Sequence, residues 1–179
     1  MVVYVHGYRD DVDSAFEGHQ LAAQFAASGL EALFIAVAAP SGPDQAVRFG
    51  DLDALLELVG APAQLPVLVL GHSGGQRTLK AWLRSARVEE VVLLDGFYGD
   101  AAAWTRWLTA RPAARLRIVG QSTWAKSAAW WVGLPIPVRQ QVTHERAGCS
   151  HMDIVTRGEW VPRVLQESSL GLAEVPVSG

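Results

Sequence analysis

Ser73 stands in Gly71-His72-Ser73-Gly74-Gly75, after the apolar run Leu65 to Leu70 and ahead of a segment of helical period. This is the G-x-S-x-G pattern of a nucleophile elbow. Its flanking glycines carry no Cβ, so they allow a strained strand-to-helix turn that projects the serine hydroxyl alone into a cleft. A serine hydroxyl is a weak nucleophile until an imidazole takes its proton. That imidazole in turn needs a carboxylate to hold its tautomer and stabilise its charge. Asp95 closes Val91-Val92-Leu93-Leu94, and His151 lies in a polar loop further on. The chain order Ser73, Asp95, His151 is the one expected when such an elbow tops an α/β sheet. The expected chemistry is therefore acyl transfer. Each residue also has a plainer use. A glycine-rich turn after a strand can cradle phosphate, although G-x-G-x-x-G and the P-loop lysine are both missing here. Asp95 could cap a turn, and His151 could be a surface histidine near a helix start.

These residues need a scaffold that brings them together. Short aliphatic runs alternate with helical segments, and turn residues separate them. The predicted strands are Val2 to His6, Leu33 to Ala38, Val67 to Leu70, Val91 to Leu94 and Leu116 to Val119, with a weaker one at Val142 to Arg146. They are apolar throughout, as strands covered on both faces should be. Leu52, Leu55, Leu56 and Val59 form one buried helical stripe, and Leu79, Trp82, Leu83 and Ala86 form another. A helix after the fourth strand carries Trp104 and Trp107, and a last helix begins after His151 with Val161, Val164 and Leu165. The predicted fold class is α/β, a doubly wound and mainly parallel sheet of about six strands flanked by helices. Ligands in that architecture bind beyond the carboxyl ends of the strands. His6-Gly7-Tyr8, Ser73 and Asp95 all fall on that rim. One domain over residues 1 to 167 is expected, followed by a loose tail from Ser168 to Gly179.

Composition narrows the function classes. The chain has 179 residues, half of them apolar, and a net charge of −3, with 15 Lys and Arg among 18 acids. That balance suits one globular core and offers no basic stripe for nucleic acid. A single cysteine, Cys149, excludes an internal disulfide and a Cys-rich zinc site. No apolar run approaches the ~18 residues that span a bilayer. The N-terminus lacks the signature of a secretory leader, and a cytoplasmic location is expected, with a leader ahead of residue 1 left open. The chemistry needs no cofactor and no metal. Nothing in the chain bears on oligomeric state.

Val5-His6-Gly7-Tyr8, the Gly71 to Gly75 elbow, Leu94-Asp95-Gly96 and Ser150-His151-Met152 together resemble the α/β-hydrolase superfamily over roughly residues 1 to 167. The resemblance implies an α/β-hydrolase core that lacks the family's usual first two strands. It implies Ser73 as nucleophile, His151 as general base, and the backbone N–H groups of Tyr8 and Gly74 as the oxyanion hole. In the commonest family pattern the acid follows the next strand, but Gly120-Gln121-Ser122-Thr123 contains no carboxylate. Some lipase-like members place the acid one strand earlier, which matches Asp95, with Asp100 as the alternative.

The expected mechanism is attack by Ser73, formation of an acyl-enzyme, and hydrolysis by water that His151 activates. Trp124, Trp130 and Trp131, on the long segment from Gln121 to Pro137, are expected to overhang the site as an aromatic wall that binds substrate. The expected partner is a small acyl compound, an ester or thioester. An amidase or peptidase with the same triad, and a non-catalytic binding protein on the same fold, are the alternatives. His6 and His72 are expected to be structural, His19 and His144 are assigned no role, and Arg9, Asp10 and Asp11 read as a solvated turn.

Overall fold

A computed structural model describes residues 1–172. Its sheet has six strands: β1 (Val2–Val5), β2 (Phe34–Val37), β3 (Val67–His72), β4 (Val88–Leu94), β5 (Arg115–Gly120) and β6 (Val142–Arg146). All five pairings are parallel, and the spatial order is β2-β1-β3-β4-β5-β6. The sheet is thus parallel throughout rather than mainly so. Strand boundaries shift by a few residues from those expected. β4 begins at Val88 and takes in Glu89 and Glu90, which an apolar pattern does not reach. Glu90 is buried there because its carboxylate accepts the N–H and the hydroxyl of Ser169 at 2.7 and 2.8 Å.

The helices are α1 (Val12–Gly18), α2 (Leu21–Ala27), α3 (Leu52–Leu58), α4 (Gln76–Trp82), α5 (Ala101–Ala110), α6 (Trp124–Val132), α7 (Ile136–Arg139), α8 (Asp153–Thr156), α9 (Trp160–Gln166) and α10 (Ser169–Leu172). Period-two alternation splits the apolar strands between two layers. Val3, Val5, Val69, Val91, Leu93 and Ile118 face α3, α4 and α5 through Leu52, Leu56, Leu79, Trp82, Trp104 and Leu108. Val2, Tyr4, Leu68, Leu70, Val92 and Leu94 face the other layer through Ala15, Leu21, Ile154, Val155, Val161 and Val164. Each fully buried large side chain contributes about 1.5–3 kcal/mol of transfer free energy.

Two expected stripes are cut short at their ends. Val59 is 46% exposed, and Leu83 and Ala86 lie beyond the end of α4. The single last helix is two, α8 and α9, because Gly158 between them takes φ +73°, which a continuous helix cannot accommodate. Of the expected loose tail, Ser168 is buried and residues 169–172 form α10. The remainder, residues 173–179, lies outside the described residues. Among the described residues no helix is long and apolar enough to cross a membrane.

The chain runs from β1 to its neighbour β2 and then returns to β3 on the other side of β1. The loops leaving β1 and β3 therefore diverge to opposite faces, and a crevice opens between their carboxyl ends.

Candidate functional site

That crevice is a cavity of about 740 Å³, lined by Gly7, Tyr8, Arg9, Asp10, Ser14, Gly18, His19, His72, Ser73, Gly74, Tyr98, His151 and Met152. Its floor is built by strand register. Val5 lies opposite Gly71, and His72 lies opposite Leu94. The residues just beyond those strand ends, Tyr8, Ser73 and Asp95, are consequently neighbours.

Ser73 leaves β3 with φ +49°, the left-handed region, and opens a single 3-10 turn, Ser73–Gly75, that leads into α4. A non-glycine residue held there costs on the order of 1–3 kcal/mol, so the surroundings must enforce it. Gly75 shows how. A Cβ on it would stand 2.8 Å from the carbonyl oxygens of both Val5 and His6, so only glycine lets the turn lie against the end of β1.

Asp95 also takes a positive φ, +45°, and its side chain is wholly inaccessible to solvent. Its Oδ1 accepts the backbone N–H groups of Gln121 and Thr123 at 2.8 Å each and the Thr123 hydroxyl at 2.9 Å. Its Oδ2 accepts the Ser122 N–H at 3.0 Å and faces His151 Nδ1 at 2.6 Å. Burial pushes this carboxyl group upward, but the His151 contact and the three backbone donors outweigh it and hold it far below the usual carboxylate range. The loop after β5 contains no acid, and its backbone instead supplies the donors that keep Asp95 ionised. Asp100, the alternative acid, lies 3.7 Å from Lys80 with its side chain half exposed.

His151 arrives from the far edge of the sheet, on the turn after β6. Ser150 and Asp153 shape that turn by reciprocal bonds: Ser150 N–H donates to Asp153 Oδ2 at 3.1 Å, and Asp153 N–H donates to Ser150 Oγ at 3.3 Å. With Nδ1 engaged by Asp95, Nε2 is the ring nitrogen left for a group in the cavity. Ser73 and His151 border the same cavity, and no hydrogen bond joins them in this structure. The same cavity receives Tyr8 and Gly74, from the ends of β1 and β3.

Trp124, Trp130 and Trp131 do not border this cavity. Trp124 stacks on His144 at 4.2 Å, and Trp131 lies on the same ring at 5.9 Å. Trp130 packs on Phe97 and donates its indole N–H to Thr105 at 3.0 Å. α6 turns them against β6 and α5, and the residues that lead into it, Gln121 to Thr123, are bound down at Asp95. The expected aromatic wall is instead made by Tyr8 and Tyr98, with Met152.

Three further residues at the site carry no signal strong enough to be read from the chain. Tyr98 lies beyond Asp95 on the same loop and stands beside Ser73. Burial raises its phenol, and a hydrogen bond with Ser73 opposes that rise. His19 is buried at the cavity wall, between Tyr4 Oη at 3.2 Å and Asp10 Oδ2 at 3.3 Å. Burial lowers its imidazole. His72 lies 4.5 Å from the His151 ring, centre to centre. The Arg9-Asp10-Asp11 turn is only partly a solvated one, since Asp11 caps α1 by accepting Ser14 N–H at 2.8 Å and Asp10 faces His19. His6 ties the first two strand ends together, with Nδ1 donating to Gly7 O at 2.8 Å and Nε2 accepting from Ala39 N–H at 2.9 Å. Among the described residues no group of three His, Cys, Asp or Glu side chains is placed to hold a metal ion.

Fold and site together define an α/β protein with an all-parallel six-stranded sheet and a cavity at its topological switch point. Among solved structures it is similar to that of a putative thioesterase from Silicibacter sp. TM1040, with a TM-score of 0.50 and 18% identity over 96% of this chain and 74% of that one. At that identity the likeness concerns the fold. No protein-family model matches the chain, and no curated protein matches it. These findings correct the resemblance drawn from the motifs. The similar structure is described as a putative thioesterase and not as an α/β-hydrolase, so the superfamily assignment is withdrawn, and with it the notion of a core lacking two strands. The motifs mislead because a parallel strand, a glycine turn and a helix generate the same short pattern wherever a parallel sheet meets a tight crossover.

Proposed function

We propose that this chain is a serine hydrolase that cleaves a carboxylic ester or thioester through an acyl-enzyme on Ser73. The observation that carries the reading is the 2.6 Å contact between the buried Asp95 carboxylate and His151 Nδ1, at the cavity that Ser73 enters from a strained turn. Asp95 holds the proton on Nδ1, which leaves the Nε2 lone pair to take the proton of Ser73 as its Oγ attacks the acyl carbon. His151 then returns that proton to the departing alcohol or thiol. A water molecule deprotonated by the same nitrogen attacks the acyl-enzyme, and collapse of the second tetrahedral intermediate frees Ser73 and the acid product.

The backbone N–H groups of Tyr8 and Gly74 are the proposed oxyanion donors, each worth about 2.7–4 kcal/mol of barrier. The thioesterase name of the similar structure agrees with a thioester among the substrates. The missing Ser73–His151 hydrogen bond is what a ligand-free hydrolase with loose geometry and a non-catalytic binding protein have in common. Labelling by a fluorophosphonate probe separates them. Ser73 is expected to be labelled in the folded protein, and the Ser73→Ala variant is expected to give none. An unlabelled wild-type protein rules the hydrolase out.

A further inference from the structure

We propose that His72, the residue before the nucleophile, is a positioning residue that ties the backbone of the His151 turn to the end of β3 and so sets where the base stands relative to Ser73. The inference rests on the hydrolase reading of the Ser73 site.

His72 is the last residue of β3 and is only 2% exposed. Its Nε2 faces the carbonyl oxygen of His151 at 3.2 Å. A carbonyl can only accept, so Nε2 carries the proton and Nδ1 does not. Nδ1 is turned toward the first loop, where a Cβ on Gly7 would meet it at 3.0 Å. No side chain fits between them. The His72 ring is thereby wedged from one side by Gly7 and from the other by the His151 ring at 4.5 Å, while His19 stands edge-on at 6.3 Å.

The titratable groups around His72 are His151, His19 and Asp95. Burial, together with the neighbouring His151, lowers its pKa to about 3, so it is a neutral donor near neutral pH. A neutral ring can lie against His151 without repelling the imidazolium that forms during acyl transfer.

The tether matters because it is the bond that holds the His151 backbone itself. Asp95 holds the ring at Nδ1. The segment is anchored on either side of His151, by Ala147 N–H on Gly120 O at 2.9 Å and by the buried Ile154 and Val155, and the Ser150–Asp153 bonds shape the turn between. A second point of attachment, from the residue adjoining the nucleophile, makes the position of Nε2 and that of Ser73 Oγ depend on one strand end. Misplacement by about 1 Å can cost on the order of 10²-fold in rate.

The test uses two amides that differ in where they place their donor. The side-chain nitrogen of glutamine superimposes on imidazole Nε2, whereas that of asparagine reaches only the Nδ1 position. His72→Gln and His72→Asn would be compared with wild type by kcat and KM on a p-nitrophenyl ester, with thermal midpoints measured alongside. His72→Asn is expected to lose about tenfold in kcat with KM little changed, the equivalent of one hydrogen bond, while His72→Gln stays within about threefold of wild type. Backbone amide exchange at Ser150 to Asp153 is expected to quicken in the Asn variant alone. If His72→Asn does not fold, His72→Phe, which keeps the ring and removes the donor, takes its place. Equal turnover by the Gln and Asn variants, or losses that simply track the thermal midpoints, overturns the proposal. Failure of the underlying reading is separately visible, since it shows in wild-type protein as an unlabelled Ser73.

Discussion

Asp95→Asn removes one negative charge and nothing else in size, and the hydrogen bonds around the carboxylate decide the consequence. Oδ1 accepts three donors, from Gln121, Thr123 N–H and Thr123 Oγ1, so an amide nitrogen placed there would confront all three. The amide must therefore turn its nitrogen to the Oδ2 position, against Ser122 N–H and His151 Nδ1. An amide N–H cannot accept from His151. The ring has to switch its proton to Nε2, which is then unable to take the proton of Ser73. Where a stranded tautomer of this kind forms, the loss is about 10⁴-fold in kcat, or ~5.4 kcal/mol of barrier. Ser122 N–H, left facing another donor, adds a folding cost of about 1–3 kcal/mol.

The assay is steady-state turnover of a p-nitrophenyl ester, with denaturant unfolding of both proteins as a function of pH. Folding holds the Asp95 carboxyl group below its unfolded value near ~3.9. The stability it contributes is therefore complete above about pH 5 and is lost as the pH falls below ~4 toward the folded-state value. The difference in unfolding free energy between wild type and variant should be flat near neutrality and shrink in acid. A variant that retains kcat within about tenfold of wild type would refute the tautomer argument and remove Asp95 from the reaction.

Gly75→Ala places a methyl group 2.8 Å from two backbone carbonyl oxygens of β1 and its loop, which cannot move without displacing the strand. A loss of about 1–3 kcal/mol in unfolding free energy is expected, together with reduced labelling of Ser73, and an unchanged denaturation midpoint would contradict the close approach. Trp124→Phe thins the stack on His144 and touches nothing in the cavity. KM for a short ester should stay within about twofold of wild type while stability falls by about 1 kcal/mol, and a several-fold rise in KM would return Trp124 to the substrate site.

Several features are legible in the chain because they are local. A run such as Val67 to Leu70 between turn residues has one plausible conformation, and the spacing of Leu52, Leu55 and Leu56 puts them on one face of any helix. Six strands, the helices between them and the strained turn at Ser73 emerge from such patterns, and parallel pairing emerges from their alternation. The buried Glu90 of β4 lies beyond the reach of such patterns, because its partner Ser169 is distant in sequence.

The site divides in the same way. Ser73, Asp95 and His151 can be picked out from residue type, chain order and position at strand ends. Which carboxylate meets His151 cannot, because the choice between Asp95 and Asp100 depends on the three N–H groups of the β5 loop and on Lys80, which no pattern around Asp95 reveals. The tryptophans of α6 read as cavity residues because aromatic type indicates burial without direction. Only the packing of α6 against β6 and α5 turns them away. Tyr98, His19 and His72 reach the cavity without any sequence signal, since each is an isolated residue whose role depends on what faces it across the crevice. By itself the sequence determined periodicity, turn chemistry and the order of candidate groups along the chain, all properties of short range. Tertiary structure alone decided which groups touch, because contacts between strand ends dozens of residues apart are set by register and packing, and those contacts determine which carboxylate meets His151 and which residues line the cavity.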